Sequence, residues 1–364
     1  MKEIVCVHLL NDFSGSPLVL SGVAQDLARQ GFRVRLHTAR DQRGFLSHLP
    51  GVQQHFFRYR FFENKLVRLF ALLWSQVELF WQILGYRKTD AVIYINTLLP
   101  FGAALAGRVS GKKVVYHLHE TTVNPPMLKS FLKWVVRRCA TDVIYVSEFL
   151  RHQEPVDGIP SRVVYNALAP AFLEKADRYR AVSPEPKTKF TVLMLCSLKA
   201  YKGVDVFVRL AETLPEYQFL LVLNAGMGPI NQYFAGTAIP DNLVIFPAQK
   251  DVHIFYQQAH LVLNLSHPDQ WVETFGMTLL EAMQYGLPVI APPVGGPVEL
   301  VTDGFNGYKI DQRNFGELVA AIRRLATVPD MYRQFSANAA QYARQFNPEV
   351  QGRMVREVVE QKKQ

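Results

Sequence analysis

Short unbroken apolar runs alternate along the chain with amphipathic stretches, at intervals that suit a strand followed by a helix. Residues 4–8, 34–38, 91–96, 113–117, 142–147 and 161–165 are rich in Val, Ile and Tyr, and read as strands. Between them, residues 18–30, 100–110 and 128–140 carry helical periodicity, and the first two stop at Gly31 and Gly111. Residues 169–189 are polar, with Pro170, Pro184 and Pro186, and read as a loop-like linker. The pattern then restarts. Strands are expected at 191–197, 219–224, 243–246, 261–265, 288–291 and 308–310. Helices are expected over 204–214 and 251–259, after Gly276, from Asn314, from Met331 and from Pro348. Such alternation predicts an α/β chain with two Rossmann-like domains. The boundaries drawn are 1–170, a linker at 171–189, a second domain at 190–346 and a final helix at 347–364.

One stretch breaks the rhythm. Residues 55–88 are crowded with Phe, Trp and Leu and close on Arg87-Lys88. Arg68, Gln76, Glu78 and Gln82 interrupt the run of about 20 apolar residues that a spanning helix needs. Two readings stay open: an amphipathic helix lying in a bilayer interface, or a buried helix with a greasy flank.

At 364 residues the chain is long for one core, which agrees with two domains. The net charge of +9 calls for an anionic partner: nucleic acid, acidic lipid or a phosphorylated substrate. No recognisable nucleic-acid module accompanies it. The three cysteines, Cys6, Cys139 and Cys196, are far apart, which argues for a reducing compartment and against a disulfide frame or zinc site. The chain enters a strand at once, so no signal peptide is expected.

The densest chemistry lies between Glu273 and Glu281, two carboxylates that bracket Phe275-Gly276-Met277 and a helix start. A helix start presents free N–H groups and a positive dipole end, a ready anion site, and Gly276 lets a ligand approach the backbone. Eight helical residues would span roughly 12 Å, a reach suited to a long hydroxylated ligand with an anionic middle. Two acids on a surface helix share that spacing by chance, so its weight comes from the Phe-Gly step and the flanking strands. A second candidate is His117-Leu118-His119-Glu120 at a strand's carboxyl end, where open α/β sheets place ligand residues. The two imidazoles are expected to diverge, so no metal pair is expected there. No Asp-x-Asp occurs.

The Glu–seven residues–Glu motif with its Phe-Gly step resembles the retaining GT-B glycosyltransferases of group 1, or glycosyltransferase family four. The resemblance covers nearly the whole chain and is strongest over 191–307. It implies two Rossmann-like domains facing across a cleft, with the last helix crossing back to the first domain. It implies that Glu273 faces the donor sugar, that Glu281 holds the ribose hydroxyls, and that His119 touches the hexose. Lys202-Gly203 matches the family's Lys-Gly, which makes Lys202 the leading diphosphate ligand. Gln249 and Lys250 fall where relatives meet the base, and Phe275, Gly276 and Met277 line the donor. Gly295-Gly296 resembles the family's Gly-Gly turn. Departures are visible: Ser14-Gly15-Ser16 replaces a Gly-Gly pair, Ala167 replaces a glycine, and Ser197 stands where an arginine is usual.

The implied reaction is metal-independent transfer of a hexose from a UDP- or GDP-sugar, with no cofactor, to a glycan or lipid-linked oligosaccharide in cell-surface polysaccharide assembly. The implied setting is cytoplasmic, peripheral on the inner membrane. Lys202 and helix N-termini would stabilise the leaving diphosphate, and the acceptor would attack on the face it leaves. A GT-B epimerase and a non-catalytic sugar-nucleotide-binding subunit are the alternatives.

Overall fold

The computed structural model describes residues 2–181 and 189–361. Residues 182–188 of the expected linker, and 362–364 of the expected last helix, lie outside the described residues. The chain divides into two compact units, Met1–Ala167 with Pro348–Gln364, and Leu168–Asn347.

The first unit holds a seven-stranded parallel sheet of strands β1 (Glu3–Val7), β2 (Arg33–Ala39), β3 (Val52–Phe57), β4 (Ala91–Asn96), β5 (Lys113–Leu118), β6 (Asp142–Tyr145) and β7 (Ser161–Val163). Its order is β3-β2-β1-β4-β5-β6-β7, so the chain winds outward in both directions from β1. Every residue of β1, β4 and β5 is buried, as expected of strands covered on both faces. The helices are α1 (Gly15–Arg29), α2 (Lys65–Leu84), α3 (Phe101–Val109), α4 (Pro126–Cys139) and α5 (Glu148–Gln153). The C-terminal helix, Pro348–Glu360, also belongs to this unit. Lys2 Nζ donates to the Val359 carbonyl at 2.6 Å and Lys113 Nζ to that of Gln361 at 2.8 Å. These bonds satisfy carbonyls at a helix end that has no intrahelical donors left.

The second unit holds a six-stranded parallel sheet of β8 (Thr191–Cys196), β9 (Gln218–Leu223), β10 (Leu243–Phe246), β11 (Leu261–Leu263), β12 (Val289–Ala291) and β13 (Gly307–Lys309), in the order β10-β9-β8-β11-β12-β13. Its helices are α6 (Pro170–Ala181), α7 (Val204–Thr213), α8 (Met227–Tyr233), α9 (His253–Gln258), α10 (Met277–Gln284), α11 (Pro297–Leu300), α12 (Phe315–Thr327) and α13 (Pro329–Ala343). Phe207, Phe219, Leu221, Leu263 and Ile322 sit in its core between sheet and helices.

Two expectations fail. Residues 170–181 are a helix, not a loop. Only Ala176 is buried along α6, and the helix is held by side chains instead: Phe172 against His253, with ring centroids 4.3 Å apart, and Tyr179 donating to Asp251 at 2.8 Å. Such a helix shows little periodicity in sequence. Strand β3 was not expected either; it is only partly buried and carries the polar run Gln53, Gln54 and His55.

Candidate functional site

In the second unit, α10 starts at Gly276, whose φ of 112° is open to glycine alone among the usual residues. The preceding loop places Glu273 against the turn that follows β8. Lys202 Nζ pairs with Glu273 Oε1, and Ser266 Oγ donates to the same oxygen at 3.1 Å. The Lys202 ammonium lies 5.2 Å from the Trp271 ring centre and 5.7 Å from that of Tyr201, and the two rings stack at 5.3 Å. An ammonium between a carboxylate and two aromatic faces is held in place from several sides. Cys196, at the end of β8, has its thiol pushed up to about 12 by burial, so it stays protonated beside this pair.

The Gly295-Gly296 turn lies flush on the loop. A Cβ on Gly296 would sit 2.2 Å from the Thr274 carbonyl oxygen, and the Gly296 N–H donates to the Glu273 carbonyl at 2.8 Å. Phe275 is buried and meets Phe346 edge-on at 5.7 Å, which anchors the loop from below. Glu281, on the second turn of α10, is buried and accepts from the Tyr256 hydroxyl at 2.6 Å. Burial pushes its carboxyl up to about 7, against the pull of that hydrogen bond. Tyr256 stacks on Tyr285 at 5.6 Å.

The structure therefore joins Lys202 to Glu273 and sets Phe275, Gly276, Met277 and Glu281 on one continuous loop and helix. Ser197 falls just after β8, where its carbonyl accepts from Lys199 N at 2.8 Å. Gln249 and Lys250 are exposed after β10, and the Gln249 amide turns back to the Pro247 carbonyl at 3.0 Å. Neither is hydrogen-bonded to Lys202, Glu273 or Glu281.

In the first unit, Gly15 and Ser16 are not loop residues; they form the first turn of α1. Asn96, at the end of β4, donates through Nδ2 to the Ser16 carbonyl at 3.1 Å, and its Oδ1 faces His119 Nε2 at 2.8 Å. An amide oxygen only accepts, so His119 carries its proton on Nε2 and keeps Nδ1 as an acceptor. Burial first, then the neighbouring His117 and His8, hold the His119 ring neutral well below its ordinary range. His8 is likewise pushed down to about 4 by burial and lies 3.2 Å from the Asn96 carbonyl oxygen. Glu120, half-buried beside His119, has its carboxyl pushed up to about 7 by desolvation. The His117 and His119 rings do not diverge: their centres are 4.4 Å apart. Residues two apart on a strand share a face, so the expected divergence was wrong. His117 is engaged by the Tyr94 hydroxyl at 2.8 Å, and no cluster of three His, Cys, Asp or Glu positioned for a metal occurs among the described residues.

Sequence reasoning missed Tyr256, Ser266, Trp271 and Asn96 as members of these sites. Tyr256 lies 25 residues before its partner Glu281, and only the folded register of α9 against α10 joins them.

Two family profiles divide the chain between them. "Glycosyltransferase Family 4" matches residues 13–172 and "Glycosyl transferases group 1" matches residues 175–342. The chain belongs to the group 1 glycosyltransferases. Among curated relatives, an uncharacterized glycosyltransferase of Haemophilus influenzae is 28% identical over 40% of this chain and 42% of its own length. The poly(glycerol-phosphate) alpha-glucosyltransferase of Bacillus subtilis is 28% identical over 46% of this chain and 25% of its own. The chain thus matches less than half the length of either. Among solved structures, Anabaena HepE in complex with UDP and glucose is 21% identical, with a TM-score of 0.79 over 99% of both chains. That likeness gives this glycosyltransferase the GT-B fold.

Proposed function

We propose that this glycosyltransferase moves a hexose, with retention, from a UDP- or GDP-sugar to a hydroxyl of a glycan or lipid-linked oligosaccharide. The observation that carries it is the convergence of Lys202 and Glu273 beside the glycine start of α10. An ammonium and free backbone N–H groups form one anion site, and a carboxylate next to it suits sugar hydroxyls. Glu281, on the second turn of α10 and backed by Tyr256, is assigned the ribose hydroxyls. Gln249 and Lys250 are assigned the base and Ser197 the phosphates; Gly15 and Ser16, at the start of α1 in the first unit, are assigned to donor binding. Relatives support the reading: HepE was solved with UDP and glucose, and the Bacillus relative is named for glucosyl transfer to poly(glycerol-phosphate).

In the proposed reaction the bond from the anomeric carbon to the diphosphate oxygen breaks. The acceptor oxygen bonds to the same face, and its proton passes to the departing phosphate oxygen. Lys202 and the α10 amides stabilise that leaving charge without a metal. Glu273 orients the hexose and forms no bond to it. His119 offers Nδ1 to a sugar hydroxyl. Cell-surface polysaccharide assembly on the cytoplasmic face of the inner membrane is the setting assigned.

A panel of nucleotide sugars screened by thermal shift tests this. A UDP- or GDP-sugar is expected to raise Tm, and Lys202→Ala to abolish the rise. A panel without a binder, or a glycosyl ester trapped on Glu273, would overturn it.

A further inference from the structure

Helix α2 carries two apolar stripes. Leu72, Gln76, Leu79 and Ile83 face inward and are buried. Gln76 Oε1 accepts from the Gly102 N–H at 2.9 Å, so α2 lies tight against α3. On the other side, Leu66, Phe70, Trp74, Val77 and Trp81 recur every three or four residues and face solvent, with Phe70, Trp74 and Trp81 exposed by 68%, 55% and 65%. A surface helix ordinarily turns its polar side outward. α3 in turn packs on α4, where Met127 and Trp134 are exposed as well. At the start of α2 lies a groove of about 640 Å³, whose lining includes Arg40, Arg58 and Arg60 together with Phe62, Phe70 and Trp74. Asp41 is its one carboxylate. No ion pair occupies the three guanidinium groups among the described residues.

We propose that this side of the first unit docks on an anionic lipid leaflet, with Phe70, Trp74 and Trp81 in the interface and lipid phosphates taken by Arg40, Arg58 and Arg60. Arginine guanidinium is suited to phosphate, and aromatic rings to the headgroup level of a bilayer. The same charges argue against a second copy as the occupant, since two such faces repel; the chain carries +9 overall. The helix lies on the surface instead of spanning. Lys65–Lys88 is long and apolar enough to cross a membrane, yet its inner stripe is engaged with α3. The inference goes beyond glycosyl transfer and holds whatever the donor is.

Flotation of the whole chain with vesicles of phosphatidylcholine, alone or mixed with phosphatidylglycerol, tests it. Binding is expected only with phosphatidylglycerol present. Each arginine near an anionic surface contributes about fivefold, so Arg58→Gln with Arg60→Gln is expected to weaken binding roughly thirtyfold. Phe70→Ser with Trp74→Ser and Trp81→Ser is expected to abolish it, and the tryptophan emission of the unmodified chain to be quenched by brominated lipids. All five side chains are exposed or line the groove, and an unchanged Tm and donor affinity in both variants show that the fold and the second unit are intact. Three results would overturn the proposal: equal binding to uncharged vesicles, binding that survives both variants, or a dimer in sedimentation that the serine variant dissolves.

Discussion

The Tyr256 hydroxyl donates to Glu281 Oε2 at 2.6 Å, joining α9 to the second turn of α10. The bond leaves the other carboxylate oxygen for a ligand and fixes the side chain's direction. Tyr256→Phe is therefore expected to weaken UDP or GDP binding by about tenfold or more, the worth of one hydrogen bond to a charged group. Calorimetric titration of the nucleotide measures it, and an unchanged Kd would show that Tyr256 does not position Glu281.

Glu281 also makes a pH signature. Its carboxyl is raised from 4.5 to about 7 by burial, so the folded chain holds a proton that the unfolded chain has lost. Stability from this group therefore falls as pH rises between those two values, by roughly 3 kcal/mol in all. Glu120 acts in the same direction in the first unit. Glu281→Gln is expected to flatten the decline of Tm between pH 5 and about 7. Donor affinity should move oppositely, rising with pH as the carboxylate forms. A variant with the same Tm profile as the unmodified chain would contradict the buried acid.

Lys202 is assigned to the diphosphate, and a comparison of ligands separates that role from a merely structural one. Lys202→Ala should weaken UDP or GDP much more than the matching monophosphate, and slow transfer by about a hundredfold or more. Equal losses for both nucleotides would mean that Lys202 only braces Glu273.

Gly296 tests the packing beneath the site. A methyl group there meets the Thr274 carbonyl oxygen at 2.2 Å, so the loop must shift. Gly296→Ala is expected to cost about 1–3 kcal/mol and to lower Tm by roughly 3–10 °C. Differential scanning calorimetry measures this, and an unchanged Tm would mean that the turn yields freely.

Much of the fold was legible because its strands are buried on both faces: the apolar runs 91–95 and 114–116 lie in β4 and β5. The start of α10 was legible from Gly276; beyond its end, Gly286 adopts a φ of 67°. Helix α6 was not, because its stability comes from contacts to Asp251 and His253 and not from an apolar stripe. The Lys202–Glu273 pair spans 71 residues, and neither residue alone signals the other. Resemblance to a family placed both at the donor, whereas Ser266 and Trp271 came into view only with the folded loop. The error over His117 and His119 was one of strand geometry, not of pattern.

The central claim is that the second unit grips a nucleotide-activated sugar through Lys202, Glu273 and Glu281. Isothermal titration of UDP-glucose and a GDP-hexose into the unmodified chain and Glu281→Ala tests it most directly. The account predicts that one donor binds the unmodified chain and that the variant loses at least about tenfold in affinity, the worth of a charged hydrogen bond. Equal affinity in both proteins, or no binding of either donor to the unmodified chain, would contradict it.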